Sequence, residues 1–268
     1  MKIIEGKTKI LTPVEIYLAL AKDDITAKDG AKKHVLPGKA ELANQVTCNM
    51  FEILKRGNIQ LAYIAKHGPK TFWTQKCEMI KVEVVVRRVA KGSYCKRNTH
   101  VVDGSRLKRL VVEFYYKTTD CKIGEYQLPC NDPLMEFNET RKLWSVYRPD
   151  KPKAQGFICV LSRSMTKRES QKLYRRLSRC KTIACKAFEV LEKAWQRLDA
   201  TLQDIKFEFG MLPNGDIVMA DVVDLDSWRL DWYGQQVSKQ GYRDDDPLAK
   251  VLSTYQLGAM LSNLLVRL

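Results

Sequence analysis

Charged and apolar residues alternate along DIKFEFG, residues 204–210, and a period of two marks a strand with one packed face. Ile205, Phe207 and Phe209 fall on one side, and Asp204, Lys206 and Glu208 on the other. A second apolar run, DIVMADVV (216–223), follows, and Asn214–Gly215 between the two is a strong hairpin signal. Elsewhere the period becomes helical. Leu42, Val46, Met50 and Ile53 share one stripe of GKAELANQVTCNMFEILKRG (38–57), which stops at Gly57. Leu173, Leu177, Ala184, Ala187, Leu191, Ala194 and Leu198 predict a helix over about 167–198, opened by a Thr166/Glu169 capping box. From Leu248 the leucine spacing predicts a last amphipathic helix. KIIEG and TKILT read as two strands meeting at a glycine, and VEIYLALAKD and IQLAYIAKHG as further strands. CEMIKVEVVVRRVA precedes a glycine turn, and RLVVEFYYK (109–117) is rich in valine and aromatics. Residues 118–165 hold four of the nine prolines, and SVYRPDKPKAQG within them reads as a surface loop. This mixture, with frequent hairpins, predicts an α+β fold rather than a doubly wound parallel sheet.

Composition changes the picture in one respect. Forty-six basic residues against 31 acidic ones give a net charge of +15 over 268 residues, an excess that suits anionic partners: nucleic acid or small phosphorylated substrates. The densest basic run, KRESQKLYRRLSRCK (167–181), carries seven basic residues and one acid. On the predicted helix these charges occupy the outer face, and only Tyr174 could stack on a base, which argues against a nucleic-acid surface. Eight cysteines form no CxxC pair and there are three histidines, so reduced thiols in the cytosol are expected rather than a zinc site. No apolar run is long enough to span a bilayer. MKIIEGKTK lacks the apolar core of a secretory signal, and a cytoplasmic protein is expected.

The hairpin supplies candidate chemistry. It brings Glu208 close to Asp221, and two neighbouring carboxylates repel unless a cation lies between them. Magnesium takes hard oxygen ligands, commonly one or two carboxylates together with substrate phosphates, and Lys206 beside them would meet a phosphate. The competing reading is a surface salt-bridge ladder, which the large apolar residues on the opposite face weaken. EGKTK (5–9) lacks P-loop spacing, but Gly6 permits close approach of a hairpin to triphosphate oxygens, with Lys7 and Lys9 supplying charge. KGSYCKR (91–97) offers a glycine turn, a hydroxyl and three cations, a cradle for a second phosphate.

IIEGKTK, KDDITAKDGAKK, GKAELANQ, CEMIKVEVVVRRVAKGSYCKR, VEFYYK, NDP, DIKFEFG, ADVVDLDSWRL and QGYRD occur in an order that resembles the SAICAR synthetase family, especially the synthetase half of the animal bifunctional enzyme. That resemblance implies an ATP-dependent ligase of purine biosynthesis, condensing the carboxylate of carboxyaminoimidazole ribonucleotide with the amine of L-aspartate. It implies a kinase-like β-rich lobe over residues 1–76 and an ATP-grasp-like α+β lobe over 77–268, with the nucleotide between them. Carried over by motif, Gly6, Lys7, Lys9, Lys206 and Glu208 bind ATP, and Glu208 with Asp221 holds Mg²⁺. Arg87, Ser93, Lys96 and Arg229 bind the ribonucleotide, and Lys117, Asp132, Asp204, Lys206 and Asp226 complete the reacting centre. Residues 134–165 look longer and differently composed than the family's usual stretch. The chain lacks the family's short animal leader, and no carboxylase domain follows its last helix, so a monomer or homodimer is expected. A kinase-like phosphotransferase is disfavoured because no HRD or DFG sequence occurs.

Overall fold

A computed structural model describes residues 4–5, 10–11, 15–27, 30–124, 126–162 and 164–268. Ile4–Glu5 pairs with Ile10–Leu11, as expected for two strands meeting near a glycine. A three-stranded sheet follows, built from β1 (Ile16–Leu20), β4 (Tyr63–Gly68) and β5 (Thr71–Gln75), with β5 in the middle. A short hairpin, β2 (Asp24–Ala27) with β3 (Lys32–Val35), precedes helix α1 (Lys39–Arg56). The α1 stripe is buried at Val46, Met50 and Ile53, and the helix ends at Gly57.

The rest of the chain is built around a ten-stranded sheet, with a separate two-stranded pair, Lys122–Ile123 and Tyr126–Gln127, beside it in sequence. Its strands include β6 (Val82–Val89), β7 (Arg106–Tyr116), β8 (Leu134–Asn138), β9 (Leu143–Tyr147) and β10 (Phe157–Val160). After helix α2 (Lys167–Gln196) come β11 (Ala200–Met211), β12 (Ile217–Ala220) and β13 (Trp228–Trp232). The order is β10–β9–β8–β7–β6–β11–β13, with β12 pairing separately with β11. All these pairings are antiparallel, as the frequent hairpins require.

β6 and β11 are central because both can be buried on two faces. Val82, Val84 and Val86 from β6 and Ile205, Phe207 and Phe209 from β11 turn to one side, all but inaccessible to solvent. There they meet Leu177, Ala184, Ala187, Phe188, Leu191 and Trp195 of α2 in one core. The capping box forms: Thr166 and Glu169 accept each other's backbone N–H groups. Of the seven basic residues in 167–181, all but half-buried Arg176 are exposed, which makes this the outer face expected. The last helix, α3 (Leu248–Arg267), packs on α1, where Asn49 Nδ2 donates to Ser262 Oγ at 2.9 Å.

One expectation is overturned. SVYRPDKPKAQG is no surface loop: Ser145–Tyr147 belong to β9, and Lys153–Gly156 form a helical turn leading into β10. Trp144 and Val146 alternate inward and are almost wholly buried. The alternation is confined to five residues and followed by two prolines, too short a run for its period to stand out.

Candidate functional site

The polar face of β11 is not a solvated one. Asp204 and Glu208 are each only 4 % exposed, and the face borders two cavities. The first, about 610 Å³, is lined by Met79, Ile80, Tyr116, Lys117, Glu208 and Asp221, among others. Lys117 Nζ donates to Glu208 Oε2 at 2.6 Å. Lys206 Nζ donates to Glu208 Oε1 at 3.1 Å and to Glu83 Oε1 at 3.0 Å. The hairpin places Glu208 opposite Ala220, and hence beside Asp221, as its turn signal predicts. Asp221 has φ +62°, a left-handed backbone that only a few non-glycine residues tolerate.

The two carboxylates share their charge unequally. Burial raises the pKa of Glu208, but Lys206 and Lys117 outweigh it and hold the group below the ordinary glutamate value. Asp221, although exposed at the cleft mouth, is pushed up to about 6 by desolvation and by the charge of Glu208. The two neighbouring carboxylates repel, and a cation between them would relieve that repulsion. Among the described residues, no group of three or more His, Cys, Asp or Glu side chains has metal-holding geometry. An ion held by Glu208 and Asp221 alone would take its remaining ligands from substrate or water oxygens.

The second cavity, about 470 Å³, lies along the same face and is lined by Arg87, Ser93, Lys96, Lys206, Arg229 and Arg243, with Asp204 and Asp226. Asp204 is the register partner of Arg87 on β6 and of Arg229 on β13. Its Oδ2 accepts from Arg87 Nη1 at 2.7 Å and from Arg229 Nη1 at 2.8 Å. Gly92 (φ +60°) lets Arg229 lie against the turn, since a Cβ there would stand 2.7 Å from Arg229 Nη2. Ser93 then opens a short helix, Ser93–Arg97, so KGSYCKR is a turn and helix at the cavity wall. Asp226 is held by Lys239 Nζ at 3.2 Å, by Lys39 Nζ at 3.6 Å and by the Tyr255 hydroxyl. Burial raises its pKa, and Lys239 and Lys39 pull it below the ordinary value. Asp224, buried behind it, is pushed up to about 7 by desolvation and the charge of Asp226.

The structure thus gathers Lys117, Glu208 and Asp221 around one cavity, and Arg87, Ser93, Lys96, Asp204, Lys206, Asp226 and Arg229 around the other, with Lys206 reaching across to Glu208. Asp132 stands apart from both linings. Its Oδ1 accepts from the Thr118 backbone N–H at 2.9 Å, so it shapes the loop after Lys117. Gly6, Lys7 and Lys9 lie outside the described residues. Sequence reasoning missed Glu83, Lys39, Arg243, Asp224 and Tyr255. Lys39, Glu83, Asp224 and Arg243 lie in the segments GKAELANQ, CEMIKVEVVVRRV, ADVVDLDSWRL and QGYRD that carry the resemblance but have no role assigned by it, and Tyr255 lies in no such segment. None of the eight cysteines, all among the described residues, is in a disulfide, and among the described residues no helix is long and apolar enough to cross a membrane.

Comparison with known proteins gives one family. The SAICAR synthetase family model matches residues 2–141 and 163–257. The chain is 36% identical over 270 residues to the phosphoribosylaminoimidazole-succinocarboxamide synthase of Chloroflexus aurantiacus, covering 96% of this chain and 94% of that protein. It is 36% identical over 249 residues to a bifunctional carboxylase/succinocarboxamide synthetase of Drosophila melanogaster, covering 90% of this chain but 51% of that protein. Against the bifunctional purine synthesis protein purC/E of Dictyostelium discoideum it is 35% identical over 246 residues, covering 89% of this chain and 22% of that protein. Among solved structures, a SAICAR synthetase in complex with ADP superposes with a TM-score of 0.70 at 26% identity, covering 95% of this chain and 94% of that one.

Proposed function

The chain belongs to the SAICAR synthetase family and is an ATP-dependent ligase of purine biosynthesis; we propose that it joins its substrates across the two cavities that flank β11. The reaction condenses the carboxylate of 5-amino-1-(5-phosphoribosyl)imidazole-4-carboxylate with the amine of L-aspartate, giving SAICAR, ADP and phosphate. ATP occupies the first cavity, where Met79, Ile80 and Tyr116 offer an apolar wall to its base. The ribonucleotide occupies the second, its phosphate against Arg87, Ser93, Lys96 and Arg229. The observation that carries this reading is Lys206, which lines the second cavity and is bonded to Glu208 in the first.

A carboxylate is a poor electrophile, so one of its oxygens attacks the γ-phosphorus and ADP leaves, giving an acyl phosphate. The aspartate nitrogen then attacks the acyl carbon, and phosphate and a proton depart. Both partners of the first step are anionic, and Lys206 and Lys117 screen their approach. Glu208 and Asp221 would hold Mg²⁺, which when bound supplies further charge neutralisation at the phosphates. Asp132 acts through the Thr118 loop. We further assign residues 1–76, with Gly6, Lys7 and Lys9, to a lobe covering the nucleotide, and 77–268 to the catalytic lobe. Cysteines outside disulfides fit a cytoplasmic protein, working as a monomer or homodimer. No nucleic-acid role is assigned: Tyr174, the aromatic of the basic run, is stacked on Phe137 at 4.2 Å.

Phosphate release measured with ATP and the ribonucleotide, with and without L-aspartate, tests the function. Turnover that requires all three substrates is expected. Turnover indifferent to L-aspartate, or to the ribonucleotide, sinks the reading.

A further inference from the structure

Arg87 does not stand alone at the second cavity. Its guanidinium is clamped from both sides: Nη1 on Asp204, and Nε on Glu113 Oε2 of β7 at 2.6 Å. Glu113 in turn accepts from Arg97 Nη2, and the Tyr115 hydroxyl donates to its Oε2 at 3.1 Å. Arg97 Nη2 also donates to the Tyr115 hydroxyl at 2.8 Å, and Nη1 donates to the Pro149 carbonyl. Arg87, Arg97, Glu113 and Asp204 are all under a tenth exposed. A row of alternating charge therefore crosses the sheet: Arg97, Glu113, Arg87, Asp204, Arg229. It contains three cations and two anions, and each carboxylate is shared by two arginines.

Burial raises the pKa of Glu113, but Arg87 and Arg97 outweigh it and keep the group ionised. An ionised carboxylate on Nε fixes the plane of the guanidinium as well as its place, because the fork is rigid. Asp204 alone cannot do this, since a single shared oxygen leaves the arginine free to rotate about that contact.

We propose that Glu113 and Arg97 are positioning residues for the phosphate contact made by Arg87. The Pro149 carbonyl then ties residues 142–162, which the family model leaves unmatched, into the substrate site. This rests on the reading above that the ribonucleotide phosphate lies in the second cavity. Neither residue touches substrate. They set the orientation in which Arg87 meets the phosphate, so their loss weakens phosphate recognition and spares the rest of the reaction.

The test compares the ribonucleotide with its dephosphorylated ribonucleoside in steady-state kinetics. Glu113→Gln keeps the shape and removes the charge. It is expected to raise KM for the ribonucleotide about tenfold, the equivalent of 1.36 kcal/mol, while changing kcat, KM for ATP and the specificity constant for the ribonucleoside less than twofold. Arg97→Lys, which keeps the charge and loses the fork, shifts KM in the same direction and serves where Glu113→Gln does not fold. Equal losses on both substrates, or a loss in kcat alone, overturn the proposal in favour of a merely structural role. Arg87→Ala separates the two layers. If it abolishes discrimination between ribonucleotide and ribonucleoside while Glu113→Gln and Arg97→Lys leave it intact, the positioning role falls and the site assignment stands. If Arg87→Ala itself leaves discrimination unchanged, the site assignment falls and takes the proposal with it.

Discussion

The two cavities along β11 are built from the same kinds of residue and arrange their charges differently. Around the first, Glu83, Glu208 and Asp221 stand with Lys117 and Lys206, and Lys81 and Lys122 also line the wall; Glu208 and Asp221 are neighbouring carboxylates there, and Asp221 has a raised pKa. At the second, Asp204 is already shared by two arginines and Asp226 by two lysines, while Lys96 and Arg243 add further positive charge to the wall. In the first, two carboxylates stand side by side among lysines; in the second, the cations of the wall outnumber its carboxylates. A buried or half-buried charge left without its counterpart is costly, so the second cavity favours an anionic ligand, and the crowded carboxylates of the first favour a cation between them.

Removing a carboxylate from the first cavity should have the largest effect on function. Glu208→Ala or Asp221→Ala is expected to lower turnover at least a hundredfold, roughly 2.7 kcal/mol or more, with the fold retained by circular dichroism. Near wild-type ATP consumption at saturating Mg²⁺ would break the assignment. In the second cavity the same kind of change acts on stability. Asp204→Asn removes the carboxylate that pairs Arg229 and leaves Arg87 to Glu113 alone, and should cost about 3 kcal/mol, or roughly 6–12 °C in melting temperature. A variant as stable as the parent would show that this pairing does not hold the sheet. Next in size is Arg87→Ala, expected to reduce the specificity constant for the ribonucleotide by roughly ten- to 150-fold, the equivalent of losing one charged hydrogen bond of about 1.5–3 kcal/mol. Calorimetric affinity for the nucleotide should be unchanged, and the reverse pattern would exchange the two cavities.

The smallest effect runs opposite in sign to that at Asp204. Asp221 has its folded pKa raised from 3.8 to about 6, so the folded chain binds a proton more readily than the unfolded one, and stability falls as pH rises between those values. The penalty is complete above about pH 6 and gone below 3.8. Asp221→Asn should therefore stabilise the metal-free protein at pH 8 by about 1 kcal/mol, discounted for the exposure of the group, or roughly 2–4 °C. That gain should vanish on acidification below pH 4, and Mg²⁺ with nucleotide should stabilise only the parent. Thermal melts across pH check this, and a pH-independent difference would refute it.

The first cavity was the more legible in sequence. Alternation over seven residues, an Asn–Gly turn and an aspartate just past the returning strand are local features, and together they place Glu208 beside Asp221. The second cavity is assembled from distant segments: Lys39 at the start of α1, Arg243 and Tyr255 near the C-terminus, Arg87 and Asp204 from strands separated by more than a hundred residues. No window of sequence contains that arrangement, and Asp204 and Arg87 could be named only through family resemblance. β9 and β10 were illegible for a different reason, since their alternation is brief and the prolines between them look like a loop.

Asp204, Lys206 and Glu208 also act together as a ruler. At roughly 3.3 Å per residue their outer pair stands about 13 Å apart along the backbone, and covalent geometry rather than packing sets that span. Side-chain substitution can retune the charge at each mark but cannot move the marks. Inserting a single residue would turn every later mark to the α2 side of the sheet. A substrate pair of different reach would therefore have to be accommodated by the loops at either end, Thr118 onward or Gly92–Arg97, and variation among enzymes of different specificity is expected to concentrate there, leaving the strand untouched.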